Sequence, residues 1–197
     1  VLDTTSTKPT KGTLLKEKYA IRPAAAISKR GILTAAHCLK ENAQKYKVSI
    51  PVAGGEFVNF EADYLAIPPL YEKKGVDLAL LRMPSDLPKE VTTLKLPEKG
   101  RPFNLQVIGA AGFGDTSGRP SHVTDNGVLR ATYLSVINYN PDAPIFVVDQ
   151  TKGKGICMGD SGGPALVEHN EATYLVGVVA SVTYPMKAPK DFDICKS

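Results

Sequence analysis

Apolar residues in this chain fall into short runs divided by glycine, proline and charge. Ala24–Ser28 and Ile32–Thr34 flank the turn Lys29-Arg30-Gly31, and Lys45–Val52 and Phe57–Ile67 flank Ala53-Gly54-Gly55. A glycine pair between two apolar runs is a hairpin signal. Asp77–Arg82 closes this first set, and Pro84, Pro88, Pro97 and Pro102 punctuate the polar connector that follows. A second set comprises Gln106–Gly112, Val128–Ile137, Phe146–Val148, Gly163–Glu168 and Tyr174–Ser181. Runs of this length bounded by turn residues predict strands, so the pattern favours an all-β protein with little helix.

Composition adds bounds. The 197 residues are enough for one large or two small cores, and 43% hydrophobic content places the chain among globular proteins. Lys and Arg exceed Asp and Glu by 24 to 20, a net charge of +4. That excess is too small and scattered to argue for nucleic acid. Lys11, Lys16, Lys18, Lys29-Arg30 and Lys73-Lys74 read as solvated faces. No apolar run approaches membrane-spanning length, so no membrane partner is expected. Val1-Leu2-Asp3-Thr4-Thr5 lacks the basic start and apolar stretch of a secretory leader, which leaves removal or omission of a leader open.

Gly159-Asp160-Ser161-Gly162-Gly163-Pro164 carries the most chemistry. Its glycines permit backbone angles closed to other residues, so the amides of Gly159 and Ser161 can converge on one point. Two such N–H groups could hold the oxyanion that forms when Ser161 attacks a carbonyl. A serine hydroxyl is a poor nucleophile alone and needs a base. His37, in Thr34-Ala35-Ala36-His37-Cys38, can take a proton near neutral pH. Asp77, at the head of Asp77-Leu78-Ala79-Leu80-Leu81, is placed to orient it. Taken singly, each has a bland reading: a histidine beside a core strand, a strand-start carboxylate, a serine in a glycine-rich turn. Taken together, in the chain order His-Asp-Ser, they match one of the three common serine triads.

In these three segments the chain resembles the chymotrypsin/trypsin-like serine protease family. Val107–Gly114, a strand running into Gly-Phe-Gly, and Leu175–Val179 add weaker matches, and the likeness spans roughly residues 24 to 182. The resemblance implies two six-stranded antiparallel β-barrels with the active site in the cleft between them. Residues 1–100 would carry His37 and Asp77, and residues 101–197 would carry Ser161 and the specificity pocket. It implies a secreted serine endopeptidase acting through an acyl-enzyme on Ser161. Proteins or peptides would be its substrates and protein inhibitors its further partners, and it would act as a monomer with no cofactor. It also implies that Asp160 is the activation carboxylate, answering to a processed N-terminal amine. Val1 is the candidate amine, with residues missing ahead of Val1 as the alternative.

The pocket expectations follow from the same likeness. Gly155, six residues before Ser161, stands where trypsin-like members carry an aspartate, and Ile156 beside it is apolar. Together they suggest a pocket for apolar P1 side chains, unless Asp191 or Asp193 supplies an acid from the opposite wall or Lys154 turns inward. Ala180-Ser181-Val182 replaces the usual Ser-Trp-Gly, which removes a hydrogen bond to Asp77 and narrows the entrance at Val182. Of the three cysteines, the family pattern pairs Cys157 with Cys195 and leaves Cys38 a free thiol near His37. One disulfide suits an oxidising compartment. The tail 191–197 reads as either a truncation or a shortened closing strand. His122 and His169 show no metal-ligand spacing, the Ala53-Gly54-Gly55 turn is too short for the family's calcium loop, and the glycine run 109–114 lacks a βαβ setting; no metal or nucleotide is expected. An inactive protease-like binding module and an unprocessed zymogen form are the alternative functions.

Overall fold

A computed structural model describes residues 2–3, 22–39, 45–71, 75–98, 105–119, 125–182, 189 and 192–196. Val1, Lys11, Lys16, Lys18, Lys73, Lys74, His122 and Asp191 lie outside the described residues. Twelve strands are formed by these residues: β1 Leu2–Asp3, β2 Ala25–Ala26, β3 Gly31–Thr34, β4 Tyr46–Pro51, β5 Phe57–Glu61, β6 Tyr64–Ala66, β7 Ala79–Arg82, β8 Val107–Gly112, β9 Arg130–Asn138, β10 Val147–Val148, β11 Pro164–His169 and β12 Ala172–Val178. A single 3-10 turn, Ala36–Cys38, follows β3. The chain is all-β, as the run pattern predicts.

The strands form three antiparallel sheets in the orders β1-β4-β5, β2-β3-β7-β6 and β10-β9-β8-β11-β12. The first two belong to the first half of the chain and the third to the second half, giving two barrel-like units. The expected single strand Phe57–Ile67 breaks into β5 and β6. Ala62 N–H donates to Tyr46 O on β4 (2.9 Å), and the next amide, Asp63 N–H, donates to Arg82 O on β7 (3.0 Å). The chain thus changes sheet within two residues, the device by which a barrel turns a corner. The Asp63 carboxylate fixes the corner by accepting from Arg82 Nε at 2.8 Å. Guanidinium and Tyr64 ring are stacked, 5.3 Å apart.

Alternation sets the cores. On β4, Tyr46, Val48 and Ile50 point inward, while Lys47 and Pro51 face solvent. They pack with Ile32, Leu81 and Met83, the last two fully buried. In the second half Ile108, Ala110, Leu134 and Ala165 form a smaller core flanked by Phe146, Val148 and Ile156. The connector joins the halves: Leu94 N–H donates to Ala26 O (2.9 Å), and Lys95 O accepts from Leu175 N–H on β12 (2.8 Å). β12 stops at Val178, short of the expected Ser181. Val179 instead exchanges two backbone bonds of 2.8 Å with Gly162 and Gly163.

Leu81→Ala is expected to lower stability by about 2–5 kcal/mol, the usual cost of a cavity in a packed core. Lys47→Ala, on the solvent face of β4, is expected to stay within about 0.5 kcal/mol of the parent. Urea unfolding of the two variants checks both.

Candidate active site

The β3–β7 ladder brings the candidate base His37 and its partner Asp77 together. Thr34 at the end of β3 pairs with Ala79 at the start of β7. His37 lies three residues beyond Thr34 and Asp77 two residues before Ala79, so both leave the sheet at the same end. Asp77 grips the histidine twice. Its Oδ1 accepts from the His37 backbone N–H at 2.9 Å, and its Oδ2 lies 2.5 Å from His37 Nδ1. With Nδ1–H donated to the carboxylate, Nε2 is left as the working nitrogen. Asp77 is mostly shielded (17% of its side chain accessible) and the imidazole is more open at 36%.

Cys38 is buried and free. Its Sγ lies 3.7 Å from His37 Nε2. The contact with Cys38 is the main influence pushing the imidazole up from 6.5 to about 9; Asp77 adds to the rise and burial opposes it.

The turn that carries the candidate nucleophile Ser161 is built by close approach. Gly159 and Gly162 have φ of +98° and +85°, the left-handed region where a side chain is strained. A Cβ on Gly162 would collide with Thr34 Oγ1 and come within 2.6 Å of Pro23 O. Ser161 is therefore set against the end of β3, three residues before His37. Thr34 is fully buried and donates its hydroxyl to Pro23 O at 3.0 Å. Among the described residues the N–H groups of Gly159 and Ser161 have no acceptor, and Ser161 Oγ has no hydrogen-bond partner.

Asp160 points away from the hydroxyl into a slot. Its Oδ1 accepts from Gly114 N–H at 2.7 Å and its Oδ2 from Cys157 N–H at 2.8 Å. Any side chain at Gly112 or Gly114 would run into this carboxylate, with a Cβ on Gly114 only 2.6 Å from Asp160 Cγ. The slot borders a cavity of about 360 Å³ that also meets Ala111, Arg130, Lys154, Gly155 and Ile156.

A second, larger cleft of about 540 Å³ runs from Asp77 to the segment after β12. Ile156, Ala180, Ser181 and Val182 all line it. Gly155 does not; a Cβ there would lie 2.6 Å from the Gln150 side-chain carbonyl carbon and would strike the Cys195 carbonyl oxygen. Cys157 and Cys195 form a disulfide with Cα atoms 4.9 Å apart. Asp193 is buried, and both its oxygens serve the fold. Oδ1 accepts from Gly118 N–H (2.8 Å) and Cys195 N–H (3.1 Å), and Oδ2 from the Ser117 hydroxyl (2.6 Å). Burial pushes this carboxyl up, and the three hydrogen bonds outweigh it, so the net shift is downward. Lys154 is exposed.

Gln150 escapes sequence reasoning. Gln150 Oε1 accepts from Ile156 N–H (2.7 Å) while its Nε2 donates to Ile194 O (3.0 Å), tying the two sides of the pocket wall. Nothing in Asp149-Gln150-Thr151 signals that role. The Gly112 and Gly114 slot did leave a signal, the Gly-Phe-Gly spacing, but the spacing says nothing of which carboxylate enters it.

The trypsin family model matches residues 13–195. The chain is 29% identical to hypodermin-A of Hypoderma lineatum over 171 residues, which is 78% of this chain and 64% of that protein. It is 30% identical to trypsin 5G1 of Aedes aegypti over 178 residues, covering 78% of this chain and 62% of that protein. It is 25% identical to serine protease 1 of Canis lupus familiaris over 171 residues, covering 77% and 67%. This chain belongs to the trypsin family. The matched region spans somewhat under two thirds of the length of hypodermin-A and trypsin 5G1.

Gly127 has φ of +98° and open space where a Cβ would go, so Gly127→Ala reports backbone strain alone, about 1–3 kcal/mol. Gly162→Ala is expected to cost more, because Thr34 and Pro23 must also shift. Chemical denaturation of both variants makes the comparison.

Proposed function

We propose that the chain is the catalytic unit of a serine endopeptidase, with residues 1–100 supplying His37 and Asp77 and residues 101–197 supplying Ser161 and the pocket. The observation that carries this reading is the double grip of Asp77 on His37, at the end of the ladder where the Ser161 turn packs on Thr34. In the reaction His37 Nε2 takes the Ser161 hydroxyl proton as Oγ bonds to the substrate carbonyl carbon. The N–H groups of Gly159 and Ser161, without partners among the described residues, receive the oxyanion. Nε2 then passes the proton to the leaving amine, and an acyl group remains on Oγ. Water, deprotonated by the same nitrogen, releases it.

The cleft at Ile156, Ala180, Ser181 and Val182 is our candidate substrate pocket. Its apolar lining supports a preference for apolar P1 residues, and Asp193, whose oxygens are engaged by Ser117, Gly118 and Cys195, supports the absence of a basic preference. Asp160 is our candidate activation carboxylate. A carboxylate can accept about four hydrogen bonds, so the two from Gly114 and Cys157 leave capacity for the amine of a processed N-terminus. The disulfide supports secretion. No helix among the described residues is long and apolar enough to cross a membrane.

A second reading, a protease-like binding module, draws on two observations: Nε2 contacts Cys38, and among the described residues Ser161 Oγ has no hydrogen-bond partner. A fluorophosphonate probe separates the readings. Covalent labelling that is lost in Ser161→Ala is expected. Asp77→Asn is expected to slow labelling by roughly ten-thousandfold, since an amide no longer fixes the imidazole tautomer. No labelling under any condition favours the binding module, and labelling only after limited proteolysis favours a zymogen.

A further inference from the structure

Cys38 faces the one nitrogen that the proposed reaction needs. Its sulfur is 3.7 Å from His37 Nε2, and its side chain is buried, with 7% of the residue accessible. No second cysteine lies near in sequence to draw it into a disulfide, and the described disulfide uses the other two. Among the described residues Ser161 Oγ, the group that Nε2 should hold, has no hydrogen-bond partner.

We propose that Cys38 is a positioning residue that competes with Ser161 for His37: its sulfur accepts from Nε2–H and holds the imidazole as a donor, in the state that cannot take the hydroxyl proton. The proposal rests on the protease reading of the same site. Asp77 enforces it from the other side, because Nδ1–H is already committed to Oδ2. An imidazole that donates at both nitrogens is protonated, and the raised value of about 9 has that origin. Among the described residues Asp77, from the segment before β7, and Cys38, from the 3-10 turn, are the titratable groups recorded against this ring. The second half faces it with the Ser161 turn, whose carboxylate, Asp160, is turned to the amides of Gly114 and Cys157.

The consequence is an enzyme whose base is released by alkali. His37 acts only when neutral, so activity rises with pH through the histidine's own value. That rise falls well above pH 6.5 while Cys38 is present.

The experiment measures the rate of fluorophosphonate labelling from pH 6 to 10 for the full chain, Cys38→Ala and the size-matched Cys38→Ser. In parallel, the His37 imidazole is titrated by NMR. The parent is expected to label with a midpoint near 9. In Cys38→Ala the midpoint is expected to move down by a unit or more, and labelling at pH 7.5 to rise on the order of tenfold. A parent midpoint near 6.5, or midpoints that agree between parent and variants, overturns the proposal. If Cys38→Ala fails to fold, Cys38→Ser and the parent profile decide by the same criteria. If the parent never labels, the protease reading fails, and the NMR titration still tests the Cys38–His37 contact.

Discussion

Gly162 lies against Thr34 and Pro23 with no room for a side-chain carbon, and the candidate site depends on that approach. His37 and Asp77 come from one half of the chain and Ser161 from the other. Chemistry between them requires a fixed distance between two separately packed cores. Thr34 is fully buried and spends its hydroxyl on Pro23, so the first half presents a hard, finished surface. Gly162 spends its N–H on Val179, so the second half is equally finished. The connector adds a second point of attachment through Leu94 and Lys95. Two packed cores that touch at separated points slide less readily than cores joined at one.

The other polar groups of the site follow one rule. Each shielded carboxylate is answered by N–H or O–H donors whose positions the fold already fixes. Asp77 takes a backbone amide and a ring nitrogen, Asp160 two backbone amides, and Asp193 two amides and a hydroxyl. Backbone donors cost no side-chain entropy to hold, and they keep these charges from becoming unpaired burdens on the core. The glycines at 112 and 114 are what let backbone and the Asp160 carboxylate come this close.

Much of this was legible in the sequence. The strands β3, β4, β7, β8, β9 and β11 fall within a residue or two of the runs that predicted them, because half-buried strands write their alternation directly into the chain. The long run 57–67 hid a corner, since its hydrophobic pattern continues while Asp63 moves to a new partner strand. β12 ends before the expected Ser181 because Val179 gives its backbone bonds to Gly162 and Gly163 of the Ser161 turn instead of to a neighbouring strand. Ser161, His37 and Asp77 stand out by their contexts. Cys38 beside His37 is legible too, though not the direction its sulfur takes, and the Gln150 bridge is not, because it depends on three-dimensional proximity with no local motif.

Gln150 joins Ile156 to Ile194 beside the point where a disulfide joins Cys157 to Cys195. A single tie acts as a hinge, about which two strands of chain can still twist. A second tie one residue away along both strands removes that rotation. The wall beside the candidate pocket therefore behaves as a braced panel: its covalent link sets how far apart the two sides can move, and the glutamine sets the angle between them.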